Sequence, residues 1–414
     1  MKNFLSKWLS NFTSYLTPST SSKFASFMDG SDLTQQLKNR DLPKFEQLKQ
    51  SITQILKSEL SSSPFTKQIA LLSDFTTYFL QFKQCQINND YSSSFTHLSN
   101  SFAMISELFT IDQMVFGPII KYIIKNLYSA SIKSKDEKSI SDCGRLLISF
   151  FSKWQMSDDK TLVFFVVVFL MKIYFKLKTY RNSLTLVNWY EKSDVQSEEI
   201  PQSENATFSF YQGRLSLYEL KLAEAREVLN KAFIIAINSK TSSAKHNAQL
   251  IYEYLIPINL FYGIYPKQNS FDIDPNYNSL TQSVLNGDVG QFITAIDSLE
   301  ERTIALGTFL IVGKLKPFVF RNLIKNVYYS QIEVIEAMKA PFMKLENILK
   351  VMKNVYHYED DMDLEELELN VIGVIYRGLI GGYVHNADKV IVFSKKNPFP
   401  ELGGVMKNNY SKII

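Results

Sequence analysis

The chain has 414 residues, of which 45% are apolar and 21% are charged, a balance that supports a buried core and excludes wholesale disorder. It has only 15 glycines, fewer than a large sheet protein or a glycine-rich nucleotide fold needs for its turns. The net charge of +4 is too small to indicate nucleic-acid binding until the positions of the charges are considered.

The first predicted element is an amphipathic helix. Residues 1–28 contain no acidic residue, and one helical face holds Phe4, Leu5, Trp8, Leu9, Phe12 and Leu16. Three roles stay open for this helix: docking on the body of the protein or on a partner, contact with a membrane surface, and targeting. Residues 18–32 are rich in serine and include Pro18 and Gly30, which predicts a linker.

Helical repeats are predicted to follow, because apolar residues recur at helical spacing from Leu42 onward. The most apolar run, Leu162–Met171, has ten residues. A membrane span needs about 20, so this run predicts a buried helix.

The segment Phe210–Ala236 gives the sharpest repeat pattern. Gly213, Ala225 and Ala232 place small residues where two helices of a tetratricopeptide-like repeat approach closely. The large residues that pack against them are predicted to be Leu215, Leu222 and Leu229.

The last hundred residues predict a winged helix. Helices are predicted at Phe318–Ser330 and Pro341–Val355. Asp363 and Glu366 form a capping box before a third helix, which Gly378 ends. Two β-branched runs then flank residues 386–388, as in a β-hairpin.

No enzyme motif is present: the phosphate loop, the nucleophile elbow and the HExxH zinc motif are all missing from the sequence. Cys85 and Cys143 predict neither a metal site nor a disulfide framework, and the four histidines lack metal-ligand spacing. We therefore expect no catalytic activity, no metal and no cofactor. Two isolated thiols suit a reducing compartment.

Several strings resemble the PCI-domain family, whose members join a helical-repeat body to a terminal winged helix. The strings are FYQGRLSLYE from Phe210, LIYEYLIPINLFYGIYP from Leu250, FRNLIKNVY from Phe320 and LIGGYVHNADKVIVFSKKNPFP from Leu379. They resemble one branch in particular, the PCI proteins of the transcription-and-export-two complex and the related signalosome-twelve-like subunit. The resemblance covers about residues 207–402.

The expected fold is mainly α, a right-handed tetratricopeptide-like solenoid ending in a winged helix with a C-terminal β-hairpin. We expect an N-terminal helix and linker at 1–32, helical repeats at 33–206 and a PCI domain at 207–402. The PCI domain divides into repeats at 207–300 and a winged helix at 301–402, and a tail covers 403–414.

The resemblance implies a non-catalytic nuclear scaffold, with the cytoplasm left open as a second compartment. Members of this branch pair with a larger PCI or Sac-type subunit through juxtaposed winged helices and hold a small acidic protein of the Sem-one type. Their assembly binds RNA or DNA and serves transcription-coupled mRNA maturation, splicing or export.

Charge in the winged-helix region is polarised. From residue 301 to 414 there are 15 basic and 13 acidic residues, and seven of the acids lie between Glu359 and Glu368. Without that run the region carries +9, which suits contact with phosphates. The candidate nucleic-acid-binding residues are Arg321, Lys325, Arg377, Lys389, Lys395 and Lys396. The acidic run opposes entry of the third helix into a major groove.

Basic and aromatic residues on the repeat body are the candidates for holding the small acidic partner. They are Tyr211, Arg214, Tyr218, Lys221, Arg226 and Lys231. For this set and for the lysines above, an ordinary solvated surface is the alternative.

A second function also stays open: a protein-only scaffold in a COP-nine signalosome or proteasome lid. Core subunits of those assemblies usually continue past the winged helix into a long helix. Here about 14 residues follow Pro400, and Gly403 and Gly404 are expected to interrupt a helix. This favours the nucleic-acid-binding scaffold.

Overall fold

The computed structural model describes residues 2–29, 31–38, 42–61, 63–196, 198–266, 274–336, 341–356 and 362–414. Gly30 of the expected linker and residues 359–361 of the acidic run lie outside this set. The chain divides into two compact units, Met1–Glu204 and Asn205–Ile414.

Unit 1 is built from helices. They are α1 (Lys2–Ser14), α2 (Phe24–Met28), α3 (Ser31–Lys38), α4 (Phe45–Glu59), α5 (Ile69–Ile87), α6 (Tyr91–Leu108), α7 (Gln113–Lys133), α8 (Glu137–Trp154), α9 (Lys160–Lys176) and α10 (Asn182–Lys192), with 3₁₀ turns at Ser21–Lys23 and Thr66–Gln68. From α4 to α10 consecutive helices pack together, and α6 with α8 and α7 with α9 pack two apart, which is the stacking of helical repeats. Every residue of Leu162–Met171 is buried in α9, as predicted.

The N-terminal helix docks on the body of unit 1. Leu5, Leu9 and Phe12 of α1 are buried, and α1 packs against α4. The segment expected to be a linker differs from that expectation, because it forms α2 and buries Phe24 and Met28 completely. The apolar face of α1 is therefore already covered by protein, which matches the docking role.

Unit 2 begins with helical repeats. Its helices before the sheet are α11 (Gln202–Tyr218, which starts at the end of unit 1), α12 (Leu222–Asn238), α13 (Ser242–Phe261), α14 (Asn276–Asn286), α15 (Val289–Leu306), α16 (Phe309–Gly313), α17 (Lys316–Ser330) and α18 (Ile332–Glu336). A Cβ on Gly213 would lie 2.5 Å from Leu229 Cγ, and Ala225 and Ala232 are fully buried. The predicted close approach of α11 and α12 is confirmed.

The winged helix completes unit 2. Its first helix is α17, and it continues with β1 (Phe342–Lys344), α19 (Leu345–Asn354), α20 (Leu364–Tyr376), β2 (Gly382–His385) and β3 (Val390–Phe393). It is followed by α21 (Leu402–Asn408) and α22 (Tyr410–Ile413). The strands form an antiparallel sheet in the order β1–β3–β2. Together with the stacked repeats, this confirms a mainly α fold that ends in a winged helix.

Two details of the sequence-based prediction were wrong. The predicted helix at Pro341–Val355 starts only at Leu345, because Phe342 and Lys344 pair with Val392 and Val390 of β3. The tail after Pro400 is not interrupted at Gly403 and Gly404, since α21 runs through both. Leu402, Val405, Met406 and Ile413 are buried in the same core as the winged helix, and this packing offsets the low helix propensity of glycine.

Candidate nucleic-acid and partner interface

Arg321 is a buried structural residue, which corrects its prediction as a phosphate contact. It lies on α17 and is only 5% exposed. Its guanidinium donates to the carbonyl oxygens of Leu379 (3.2 Å) and Pro400 (2.9 Å) and to Oδ1 of Asn322 (2.9 Å). Burial lowers the pKa of Arg321. With its donors used inside the fold, Arg321 joins α17 to the two segments that flank the β-hairpin.

Asn322 extends the same network towards the repeats. Its side-chain nitrogen donates to the carbonyl oxygen of Val284 (2.7 Å) and to the hydroxyl of Tyr265 (3.0 Å). The Arg-Asn pair in the FRNLIKNVY string therefore fixes the winged helix to α14 and to Tyr265, which follows α13. Its role in the fold is to hold these elements together.

Lys389 is also compensated internally. Its Nζ lies 2.6 Å from Oε2 of Glu368 and 2.8 Å from Oδ1 of Asn386. Glu368 is 6% exposed, so the pair is partly withdrawn from water. The prediction that Lys389 is available for phosphate is therefore not supported by its position, because its charge already neutralises a buried carboxylate.

Lys325 and Arg377 are half-buried. Lys325 Nζ lies 6.0 Å from the ring centre of Tyr329, and burial, followed by the nearby Arg321 charge, lowers the pKa of Lys325. Arg377 Nη1 donates to the carbonyl oxygen of Gly373, 2.9 Å away in the last turn of α20. Neither side chain extends freely from the surface.

Lys395 and Lys396 are the exposed members of the predicted set. They lie two and three residues after the end of β3, and neither has an ion pair among the residues that the structure describes. We call these two residues the wing lysines. They are the predicted phosphate contacts that the structure leaves available.

The third helix of the winged helix exposes an apolar stripe that the sequence analysis missed. Leu369, Ile372 and Tyr376 of α20 are 69%, 45% and 65% exposed. Their spacing of three and four residues places them on one face, and we call them the α20 stripe. The opposite face, with Leu367, Val371 and Val374, is buried. The sequence did contain a signal for this stripe, because α20 has apolar residues on two opposite faces. Packing against the core accounts for only one of those faces.

The start of α20 is acidic, as predicted. Asp363 caps the helix by accepting a hydrogen bond from the backbone N–H of Glu366 at 2.7 Å. Glu365 and Glu366 occupy the first turn and are exposed. The exposed surface of α20 is therefore acidic at its start and apolar along its length.

The candidate partner residues on the repeats have different environments. The Arg214 guanidinium lies 5.4–5.9 Å from the ring centres of Phe210, Tyr211 and Tyr254, and burial raises the pKa of Tyr211. Arg226 Nε donates to Oδ1 of Asn259 at 2.8 Å. Tyr211, Arg214 and Arg226 are thus built into the packing of α11–α13.

The remaining candidates face outward. Lys231 is exposed, and Lys221 Nζ lies 2.7 Å from Glu219 Oε2 on the surface. Tyr218 is 38% exposed and lies against Gly307, where an added Cβ would be 2.9 Å from the Tyr218 hydroxyl. Ile304 (57% exposed) and Leu310 (74% exposed) flank that glycine in sequence. Tyr218 and the two side chains on either side of Gly307 in sequence thus expose apolar surface, which the sequence analysis did not identify.

The described residues contain no group of three metal-ligating side chains. No helix in the described part of the chain has both the length and the apolar character that crossing a membrane requires.

Comparison with known proteins gives the family. No family model matches the chain. It is 30% identical to PCI domain-containing protein 2 of Xenopus laevis over 66% of this chain and 65% of that protein. It is 24% identical to the Protein CSN12 homolog of Mycosarcoma maydis over 67% of this chain and 64% of that protein. The name of the first relative includes the PCI domain, and both relatives support assigning the chain to the PCI-domain family. Together the two relatives support the branch predicted from the sequence.

A further relative of this chain is Enhanced ethylene response protein 5 of Arabidopsis thaliana, which is 29% identical over 65% of this chain. That alignment spans 64% of the Arabidopsis protein, so the chain matches a little under two thirds of the length of these curated relatives.

Proposed function

We propose that this PCI protein is a non-catalytic nuclear scaffold that pairs with a larger PCI-like subunit through its winged helix. The observation that carries the proposal is the α20 stripe. Three large apolar side chains exposed together on one helix are a feature of protein-binding surfaces. In many winged helices the third helix, which corresponds to α20, enters the major groove of DNA. In this chain the first turn of that helix is acidic and the α20 stripe follows it, so neither part of the helix is suited to contact phosphates.

Nucleic-acid contact is then assigned to the wing lysines. Lys395 and Lys396 lie beyond the acidic start of α20 in the chain and are exposed. Lysine contacts phosphate as a point charge, so binding through these residues has little sequence specificity. RNA and DNA both provide the phosphate backbone that this mode requires.

The small acidic Sem-one-type partner is assigned to the exposed apolar side chains Tyr218, Ile304 and Leu310, with the exposed Lys231 as a basic candidate from the predicted set. Apolar anchors supply the contact area, and a basic residue favours an acidic chain. The role in mRNA maturation, splicing or export rests on the resemblance of the quoted strings to this branch.

The test is a tagged purification from nuclear extract, with mass spectrometry of the partners that co-purify in stoichiometric amounts. Recovery of a larger PCI-like subunit with a small acidic protein is the expected result. The double variant Leu369→Ser, Ile372→Ser should lose the larger subunit. Met156→Ser, at a residue of unit 1 that is 84% exposed, is the matched control and should retain it.

Recovery of signalosome or proteasome-lid core subunits in place of these partners would replace the mRNA role by the protein-only scaffold. Retention of the larger subunit by the double variant would show that the α20 stripe does not carry the pairing.

A further inference from the structure

Two parallel helices of unit 1 form an unusually basic surface. α7 and α9 each contain three lysines and no acidic residue. The helices lie side by side and run in the same direction, because Lys121 contacts Thr161 and, further along, Tyr128 contacts Phe169. The basic surface was not predicted from the sequence, because its lysines are divided between two separate helices of the chain.

Three of these lysines converge over a buried aromatic floor. Lys121 and Lys125 place Nζ 5.8 Å and 5.7 Å from the ring centre of Phe165. Lys172 Nζ lies 4.6 Å from the ring centre of Phe169, whose centre is 4.8 Å from that of Phe165. We call Lys121, Lys125 and Lys172 the lysine cluster.

The cluster has an excess of positive charge. Glu204, at the end of unit 1, is the carboxylate on which all three lysines act, and its Oε2 is buried with no hydrogen-bond partner in the described part of the chain. None of the three lysines has an ion pair within 4.0 Å among the described residues. Three ammonium groups against one carboxylate leave a net charge of +2 there. Burial lowers the pKa of Lys172, which shows that solvent alone stabilises its charge poorly.

We propose that the lysine cluster binds the phosphate backbone of nucleic acid, as a second contact separate from the wing lysines. The inference rests on the nucleic-acid part of the proposed function and adds a site to it. Lys176, which is exposed, lies one turn after Lys172 on α9 and extends the lysine cluster into a basic strip along the two helices. Four ammonium groups spread along a pair of helices suit an extended polyanion better than a single small ion.

The composition of the strip favours nucleic acid over an acidic peptide. Phe165 and Phe169 are only 1% and 7% exposed, so the floor offers no open apolar pocket to hold peptide side chains. Surface ion pairs alone stabilise a peptide by at most about 1 kcal/mol each. A phosphate backbone also gains from the release of its condensed counterions at every neutralised charge. The covered rings exclude base stacking, so binding is independent of sequence.

The experiment measures binding of a fluorescent oligouridylate to the full chain by anisotropy, with salt varied from about 50 to 200 mM. The double variant Lys121→Gln, Lys125→Gln should weaken binding roughly tenfold and lower the slope of log K against log salt by about 1.4, at 0.7 for each contact to a single strand. Lys57→Gln, Lys67→Gln removes two exposed lysines from other parts of unit 1 and is the matched control. Glu204→Gln should act in the opposite direction and tighten binding, because it removes the charge that repels phosphate.

The outcomes separate this inference from the proposed function. Weakening in the cluster variant and not in the control supports the lysine cluster. If only Lys395→Gln, Lys396→Gln weakens binding, the cluster is overturned and nucleic-acid binding by the wing stands. If the wild-type chain binds no oligonucleotide, both fall. If polyglutamate binding depends on Lys121 and Lys125 while oligouridylate binding does not, the occupant is an acidic peptide and the inference is overturned. Thermal unfolding of each variant checks that the fold is retained.

Discussion

Replacing Arg321 by methionine should destabilise unit 2 without a direct effect on nucleic-acid binding. The substitution keeps an unbranched apolar stem but removes the donors to Leu379, Pro400 and Asn322. Leaving a buried acceptor without its donor costs about 1–3 kcal/mol, so the loss of three donors should cost about 3–5 kcal/mol, in the lower part of the summed range. Arg321→Lys keeps the charge but cannot span three acceptors, so it should destabilise unit 2 by less than Arg321→Met does.

Hydrogen exchange measured by mass spectrometry suits this prediction, because it resolves unit 2 without relying on tryptophan, which occurs only at residues 8, 154 and 189. At about 1.4 kcal/mol for each factor of ten, exchange in α17 and around residues 379–400 should accelerate by about 100- to 4,000-fold. Lys396→Met, at an exposed position, is the control and should change stability by less than about 0.5 kcal/mol. Unchanged exchange combined with weaker oligonucleotide binding in Arg321→Met would refute the structural role.

Three further experiments test the packing. Gly213→Val should destabilise the α11–α12 pair by about 1–3 kcal/mol, because even the first added carbon meets Leu229. Chemical denaturation measures this loss of stability, and an unchanged stability would contradict the close approach of the two helices. Burial raises the pKa of Cys143 to about 12, so iodoacetamide at pH 8 should leave this thiol unlabelled in the folded protein and label it after unfolding. Mass spectrometry measures the difference in labelling, and fast labelling of the folded protein would contradict the burial of Cys143. Tyr410→Phe removes the hydroxyl that accepts a hydrogen bond from the Leu222 N–H at 2.8 Å, so the free energy of unfolding should fall by about 1–2 kcal/mol. Thermal unfolding measures this loss, and an unchanged midpoint would argue against the contact.

The sequence predicted the features that depend on local spacing. The small residues Gly213, Ala225 and Ala232 indicated a close helix pair because close approach leaves room for little else. The capping box at Asp363 and the stop at Gly378, which has a φ of +72°, likewise depend on a few neighbouring residues. The acidic start and length of α20 follow from the same local signals.

The sequence could not predict features that depend on contacts between distant segments. Arg321 looked like a surface cation because its acceptors at Leu379 and Pro400 lie 58 and 79 residues further along the chain. Strand β1 was placed in a helix because its pairing partner is β3, about 48 residues away. In the same way, Lys125 and Lys172 are neighbours only because α7 packs beside α9. Each case requires the tertiary arrangement that the sequence pattern leaves open.

The separation of apolar and basic surfaces has a consequence for assembly. The α20 stripe would bind its partner by removing apolar area from water, a contribution that salt does not screen. The wing lysines and the lysine cluster would bind phosphates, and each such contact weakens as salt rises. Because the two kinds of contact use different residues, nucleic acid can be released by salt while the protein pair remains assembled. A single basic surface serving both partners would lose both together, so the division of these surfaces suits a scaffold that keeps its subunits while it exchanges nucleic acid.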